Sequence, residues 1–128
     1  MSHWTEQKCI IDDLDVVAAA AKELGASVVM GGIARGWGSD TKKCDMVITP
    51  AEGRYDVAVT KNKDGVYEIE GDLYDNSIAK AFGDERNPYA KLLDLYGYIK
   101  VERQCQQRRI ATQRIKNSAG KLQLRVCA

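Results

Sequence analysis

Hydrophobic and polar positions change period several times along this chain, and each change marks an element. From Thr5 to Ile11 the period is two, placing Cys9 and Ile11 on one side of an opening strand and Lys8 and Ile10 on the other. Asp12 and Asp13 then offer an N-cap and first-turn negative charge. Leu14, Val17, Ala18, Ala21 and Leu24 follow at helical spacing until Gly25, which predicts a helix over residues 13–24. Ser27 to Met30 is short, β-branched and reads as a buried strand. The run Gly31-Gly32-Ile33-Ala34-Arg35-Gly36-Trp37-Gly38-Ser39-Asp40 reads as a glycine-rich loop between sheet strands.

The period of two then returns three times. Cys44, Met46 and Ile48 alternate with Asp45, Val47 and Thr49 before the turn Pro50 to Gly53. Tyr55, Val57 and Val59 alternate with Asp56, Ala58 and Thr60 before the turn Asn62 to Gly65. Tyr67, Ile69 and Gly71 oppose Glu68, Glu70 and Asp72. This predicts an antiparallel meander with one polar, solvent-facing side. Residues 75–85 read either as irregular chain or as a short helix from Ser77 to Phe82 ended by Gly83. Asn87-Pro88 signals a helix start, and Leu92, Leu93, Tyr96 and Ile99 carry an apolar stripe toward Gln107, across Gly97. Two strands, Ile110 to Lys116 and Lys121 to Val126, flank the turn Asn117 to Gly120. The expected fold is one α+β domain over residues 1–128 in the order β-α-β-β-β-β-α-β-β. Two helices pack on one face of a mostly antiparallel sheet of six to seven strands. The other face is left free, where a second copy would form a homodimer.

Charge changes this picture more than composition does. At 45% hydrophobic and 29% charged the chain is globular, but its net charge of +1 conceals two oppositely charged segments. Residues 97–128 hold eight cations and one acid, a charge of +7, while the remainder holds eleven cations and seventeen acids, a charge of −6. A basic segment on an acidic body predicts a polyanion or an acidic protein as partner. No apolar run reaches the roughly 20 residues of a bilayer span, and Met1 to Glu6 has no signal-peptide character. A cytoplasmic protein without membrane contact is expected. Its four scattered cysteines are then reduced thiols.

The opening Met1-Ser2-His3-Trp4-Thr5, the Ala34-Arg35-Gly36-Trp37 loop leading to Lys43-Cys44-Asp45-Met46-Val47-Ile48, and the Tyr96 helix with its closing hairpin are similar to a small uncharacterised family. It occurs in cyanobacteria, red-algal plastids, other bacteria and phages, and its plastid members are called hypothetical chloroplast reading frame thirty-five. Residues 72–87 depart from that pattern, and the closing Arg125-Val126-Cys127-Ala128 lacks the family's aromatic ending. The resemblance implies a fold and a prokaryotic or plastid setting but no catalytic residue. Because some relatives are encoded near ATPases of the AAA class, it also points to an adaptor role with such an ATPase as partner.

Candidate chemistry is sparse. The glycine-rich loop would let backbone N–H groups approach a phosphate, with Arg35 adding charge. It matches neither nucleotide-loop pattern, since a strand follows it, and a flexible connection is the simpler reading. Trp37 in that loop either folds back over the core or stands exposed as a binding anchor. A zinc site would have to gather Cys9, Cys44, Cys105, Cys127 and His3 without one local pair. His3, the only histidine, lies near the terminus, so a Cys–His nucleophile needs the first strand pinned. Small core residues are the simpler reading for Cys9 and Cys44. The acids at 12, 13 and 15 are first-turn helix chemistry, and those at 68, 70 and 72 line a solvated strand face.

The basic segment remains. Lys100 and Arg103 lie on one stripe of the second helix with Gln107, and Arg108 lies beside them. Arg114 and Lys116 share one face of the first closing strand, Lys121 and Arg125 one face of its partner. Such a set would serve phosphates, yet no aromatic follows Tyr98 to stack on bases. The alternatives are an internal acid–base match and dipole or edge protection. The expected function is a non-catalytic binding or adaptor module. Its site residues are Arg35, Trp37, Lys100, Arg103, Arg108, Arg114 and Lys116, with a protein partner or, alternatively, nucleic acid. A small nucleotide-binding enzyme ranks third, and neither cofactor nor metal is expected.

Overall fold

The structure, a computed structural model, describes residues 4–127. The side-chain faces expected of Lys8, Cys9 and Ile10 lie outside the described residues, as does His3. The elements are β1 (Trp4–Ile11), α1 (Leu14–Glu23), β2 (Ser27–Met30), β3 (Ile33–Arg35), β4 (Thr41–Lys43), β5 (Met46–Thr49), β6 (Val57–Lys61), β7 (Tyr67–Asp72), α2 (Ser77–Phe82), α3 (Ala90–Gln107), β8 (Ala111–Lys116) and β9 (Leu122–Cys127). The mixed α+β class with antiparallel pairing holds. The nine expected elements are present, joined by the short helix α2 and by a hairpin, β3–β4, that starts within the glycine-rich run and ends just beyond it.

The main sheet has five strands in the order β1-β7-β6-β5-β2, all antiparallel. The closing strands do not extend it: among the described residues β8 and β9 pair only with each other. They form a separate hairpin lying against α3, so the expected six to seven strands become five. Helix α1 starts where the pattern places it. Asp13 is extended (φ −130°) and its carboxylate accepts the Val16 N–H at 3.3 Å, while Gly25 just past the end takes φ +84°. Helix α3 starts later than Asn87-Pro88 predicts, because residues 84–87 close on themselves. Asp84 accepts the Arg86 and Asn87 N–H groups at 2.9 and 2.8 Å, which leaves Tyr89 at the N-cap position.

One core lies between the sheet and the helices. Met46, Ile48, Val57, Val59 and Ile69 face Val16, Val17, Ala20 and Ala21 of α1, Ile78 and Phe82 of α2, and Leu92, Tyr96 and Ile99 of α3. Each Val, Leu, Ile, Met or Phe among them contributes on the order of 1.5–3 kcal/mol by leaving water. The Tyr96 hydroxyl ties α3 to the β1–α1 junction. It accepts the Asp12 and Asp13 N–H groups at 3.1 and 3.3 Å and donates to the Asp12 carboxylate at 3.0 Å.

The sheet departs from the sequence pattern in several respects. Strand β2, expected to be buried, is an edge strand with Val29 and Met30 exposed. Cys44, expected beside Met46 and Ile48, lies on the opposite face because the chain bends between β4 and β5. Val47 and Ala58, on the side expected to face water, are as buried as their neighbours. With Ala34 and Cys44 they form a second, smaller core beneath β3–β4. The sheet is therefore covered on both faces at its centre, by helices on one side and by the glycine-rich hairpin on the other. That hairpin occupies part of the face expected to stay free for a second copy.

Two glycines differ in what a side chain would meet. At Gly83 a Cβ would overlap the Asn87 carbonyl oxygen and stand 2.6 Å from the Pro88 backbone carbon, whereas at Gly97, exposed on α3, it would meet nothing within 4 Å. In urea unfolding, Gly83→Ala is expected to lower stability by about 1–3 kcal/mol and Gly97→Ala to raise it by about 1 kcal/mol.

Candidate functional site

Two surfaces carry the candidate residues, and they lie on opposite sides of the molecule. The first is the β3–β4 hairpin. Gly31 and Gly32, at φ +70° and +106°, turn the chain out of β2 and back across the sheet, a path that residues with a Cβ resist. The strands pair Ile33 with Lys43, Ala34 with Lys42 and Arg35 with Thr41. Ala34 points into the second core, leaving Ile33 and Arg35 outward. The tip closes through the Gly36 N–H on the Asp40 carbonyl at 2.8 Å and the Asp40 N–H on the Trp37 carbonyl at 3.1 Å.

Two buried carboxylates hold this hairpin down. Asp56, 2% exposed, accepts four hydrogen bonds: the Arg35 N–H and Nε at 2.9 Å, Arg35 Nη2 at 3.1 Å and the Thr49 hydroxyl at 2.7 Å. The Asp56 N–H returns a bond to the Arg35 carbonyl at 3.0 Å. Burial works against the Asp56 charge, but the hydrogen bonds from Arg35 and Thr49 outweigh it and hold the carboxyl below the usual range. The same pair holds the Arg35 guanidinium above its ordinary value. Asp72, fully buried, accepts the Trp37 N–H at 2.7 Å and the Tyr74 N–H at 3.0 Å. Lys42 adds an ion pair to Glu70.

Several expectations change here. Residues 31–40 are a strapped hairpin, not a flexible connection. Asp72 belongs to the hairpin's footing rather than to a solvated row with Glu68 and Glu70. Trp37 stands out, 45% exposed, edge-to-face with the 51% exposed Tyr74 at 6.1 Å between ring centroids. One carboxylate thus positions two exposed aromatics from separate segments. Arg35 is committed to Asp56.

The second surface is the end of α3 with the β8–β9 hairpin, outside the helix layer. Two of its expected residues are spent internally. Lys100 pairs with Asp12. Arg114 bridges Glu23 of α1, at 2.5 and 3.2 Å, and Glu102 of α3, at 2.8 Å twice, with its guanidinium 6.0 Å from the Tyr98 ring centre. The Arg114 hydrogen bonds hold the Glu102 carboxyl below its usual value. Next to this bridge a cleft of about 330 Å³, lined by Leu24, Leu95, Tyr98 and Leu122, separates the hairpin from the helices. Packing there is incomplete, and Arg114 joins what the cleft parts.

Arg103, Arg108, Arg109, Lys116, Lys121 and Arg125 are exposed and form no ion pair among the described residues. They do not make one row. In the hairpin register Arg114 lies opposite Leu124 and Lys116 opposite Leu122, while Arg125 lies opposite Gln113 on the other face. Arg109 takes a left-handed conformation, φ +57°, one residue past the α3 cap Arg108, where glycine is usual.

Among the described residues no cluster of three His, Cys, Asp or Glu is placed to hold a metal ion. Cys44 is buried, and burial pushes its thiol up, away from the reactive thiolate. Among the same residues no helix is long and apolar enough to cross a membrane. Asp56, Asp72, Tyr74, Glu23 and Arg109 escaped sequence reasoning. The signal for the first two was an acid inside an apolar strand context, Tyr55-Asp56-Val57 and Gly71-Asp72-Leu73, where burial demands a partner. No family model, curated protein or solved structure matches the chain.

Because the folded Asp56 carboxyl lies below its unfolded value of about 3.9, its contribution is present in full above that value. It is lost as pH falls through the folded value. Asp56→Ala leaves the Arg35 and Thr49 donors without their acceptor and is expected to cost about 2–4 kcal/mol at neutral pH. The gap between variant and wild type should close in acid, as measured by urea unfolding at successive pH values.

Proposed function

We propose that this chain is a non-catalytic docking module that meets an acidic protein surface through the end of α3 and the β8–β9 hairpin. The observation that supports this reading is how the C-terminal charge is used. Lys100 and Arg114 fasten the segment to the acidic body, and the six other cations of residues 97–128 remain unpaired among the described residues. Arg103 lies on α3, Arg108 and Arg109 lie at its end, and Lys116, Lys121 and Arg125 lie on a hairpin that adds no strand to the main sheet, so they are free to serve a partner. Arg109 adds a second indication. A left-handed arginine costs about 1–2 kcal/mol that glycine would avoid, and an exposed cation kept at that cost fits a binding role better than a structural one.

A protein partner suits the arrangement better than nucleic acid. The free cations are spread over the end of α3 and, as Lys116 and Arg125, over opposite faces of the hairpin instead of tracking one backbone, and the Tyr98 ring is covered by Arg114. The family resemblance adds a class of partner, an ATPase of the AAA type. Trp37 and Tyr74, across the sheet, offer a second anchor, which is what an adaptor joining two bodies requires.

The test is fluorescence polarisation with a labelled polyglutamate peptide and a labelled DNA duplex at matched salt. The peptide is expected to bind in a salt-dependent way, and Arg103→Glu with Arg108→Glu should weaken it at least tenfold. Tighter binding to the duplex, with a salt slope near one unit per phosphate contacted, would turn the reading to nucleic acid. No binding of either probe would remove it. Arg109→Gly should separate the two roles of that residue, raising stability by about 1 kcal/mol while weakening the peptide complex.

A further inference from the structure

Strand β2 is an outer strand of the main sheet, with β5 on one side and open space on the other. Edge strands are ordinarily guarded by charge or proline. The other strands with an open edge carry charged residues in sequence: Glu6 and Lys8 in β1, Arg35 in β3, Lys42 and Lys43 in β4, Arg114 and Lys116 in β8, Arg125 in β9. β2 does not. From Leu24 to Ala34 there is neither a charge nor a proline, and Val29, Met30 and Ile33 are 61%, 62% and 61% exposed.

The hydrogen-bond parity of this edge is specific. The register pairs Ser27 with Thr49 and Val29 with Val47, and it continues to the Gly31 N–H, which donates to the Asp45 carbonyl. In an antiparallel ladder alternate residues turn both backbone groups to the same side. Ser27, Val29 and Gly31 therefore address β5, and Val28 and Met30 present their N–H and C=O groups to the open edge. These two residues are symmetric about Val29.

We infer that β2 is a self-pairing edge, joining two copies of the chain through a two-fold axis at Val29 into a continuous ten-stranded antiparallel sheet. In that register Val28 of one chain and Met30 of its partner exchange both backbone bonds, and the symmetric pair does the same. All four outward donors and all four outward acceptors are then satisfied. Val29 meets its own copy at a narrow, non-hydrogen-bonded position, and Val28 lies against Met30, so apolar groups face apolar groups. Charge supports a second copy as occupant. A two-fold axis pairs a strand with its own copy, which would bring cations together on β3, β4, β8 and β9 and brings no charges together here. The paired strand is only four residues long, so the dimer is of the small, concentration-dependent kind. The basic hairpin lies beyond the helix layer and stays free in it.

Sedimentation velocity of the full chain from micromolar to millimolar concentration tests this directly, with a shift from monomer toward dimer expected. Val29→Lys, at a site already exposed in the monomer, should abolish the shift while leaving circular dichroism and thermal midpoint unchanged. With Cys105 and Cys127 replaced by Ser, Val29→Cys should form a 29–29 disulfide under mild oxidation, seen by peptide mass spectrometry. The narrow pair brings Cα atoms to about 4.5 Å, within disulfide reach. Ser27→Cys, displaced from the axis, should not cross-link. A monomer throughout, a dimer that survives Val29→Lys, or equal cross-linking at 27 and 29 would each overturn the inference.

Discussion

The Asp56 carboxylate is the point on which the architecture turns. A carboxylate almost sealed from water is tolerable only when its oxygens are saturated with donors, and here the donors come from Thr49 beside it and from Arg35, 21 residues earlier in the chain. Meeting that demand draws the glycine-rich segment across the sheet as a hairpin, brings Ala34 onto Val47 and Ala58, and gives the sheet a second covered face. Trp37 then reaches Asp72, which sets the aromatic pair. Because the chain leaves the sheet at Gly31 to make this excursion, β2 stays four residues long and at the edge.

Electrostatics divides the rest of the molecule in a similar way. The acidic body neutralises part of the basic segment and fixes its position: Asp12 takes Lys100, and Glu23, with Glu102 of the segment itself, takes Arg114. Exposed pairs of this kind contribute modestly to stability, so their consequence is placement. Arg114 joins three elements across an incompletely filled cleft, and the cations that remain are presented on the end of α3 and on the hairpin held against it.

Much of this was legible in the sequence, for identifiable reasons. Helix α1 announces itself by Asp13, a repeating apolar face and Gly25, all local signals. The three meander strands announce themselves by a period of two between turn clusters. What was not legible depends on contacts between distant residues. Strands β3 and β4 are three residues each, too short to show a period, and their pairing needs Asp56 to be known as buried. Val47 and Ala58 look like polar-side positions in an alternating strand until a second layer covers them. The closing strands have strand composition, but nothing in it says whether they join the sheet. Of the candidate site residues, Arg103, Arg108 and Lys116 are exposed and Trp37 stands out beside Tyr74, while Arg35, Lys100 and Arg114 are held by acids that periodicity could not assign to them.

The unspent cations, rather than the Trp37–Tyr74 pair, are the surface expected to meet an acidic partner. Two-dimensional amide NMR during titration with a polyglutamate peptide tests this most directly. The account predicts shifts concentrated in residues 103–109 and 116–125, with the amides around Arg35, Trp37 and Tyr74 unmoved. Shifts centred on the Trp37–Tyr74 pair, or none at saturating peptide, would contradict it.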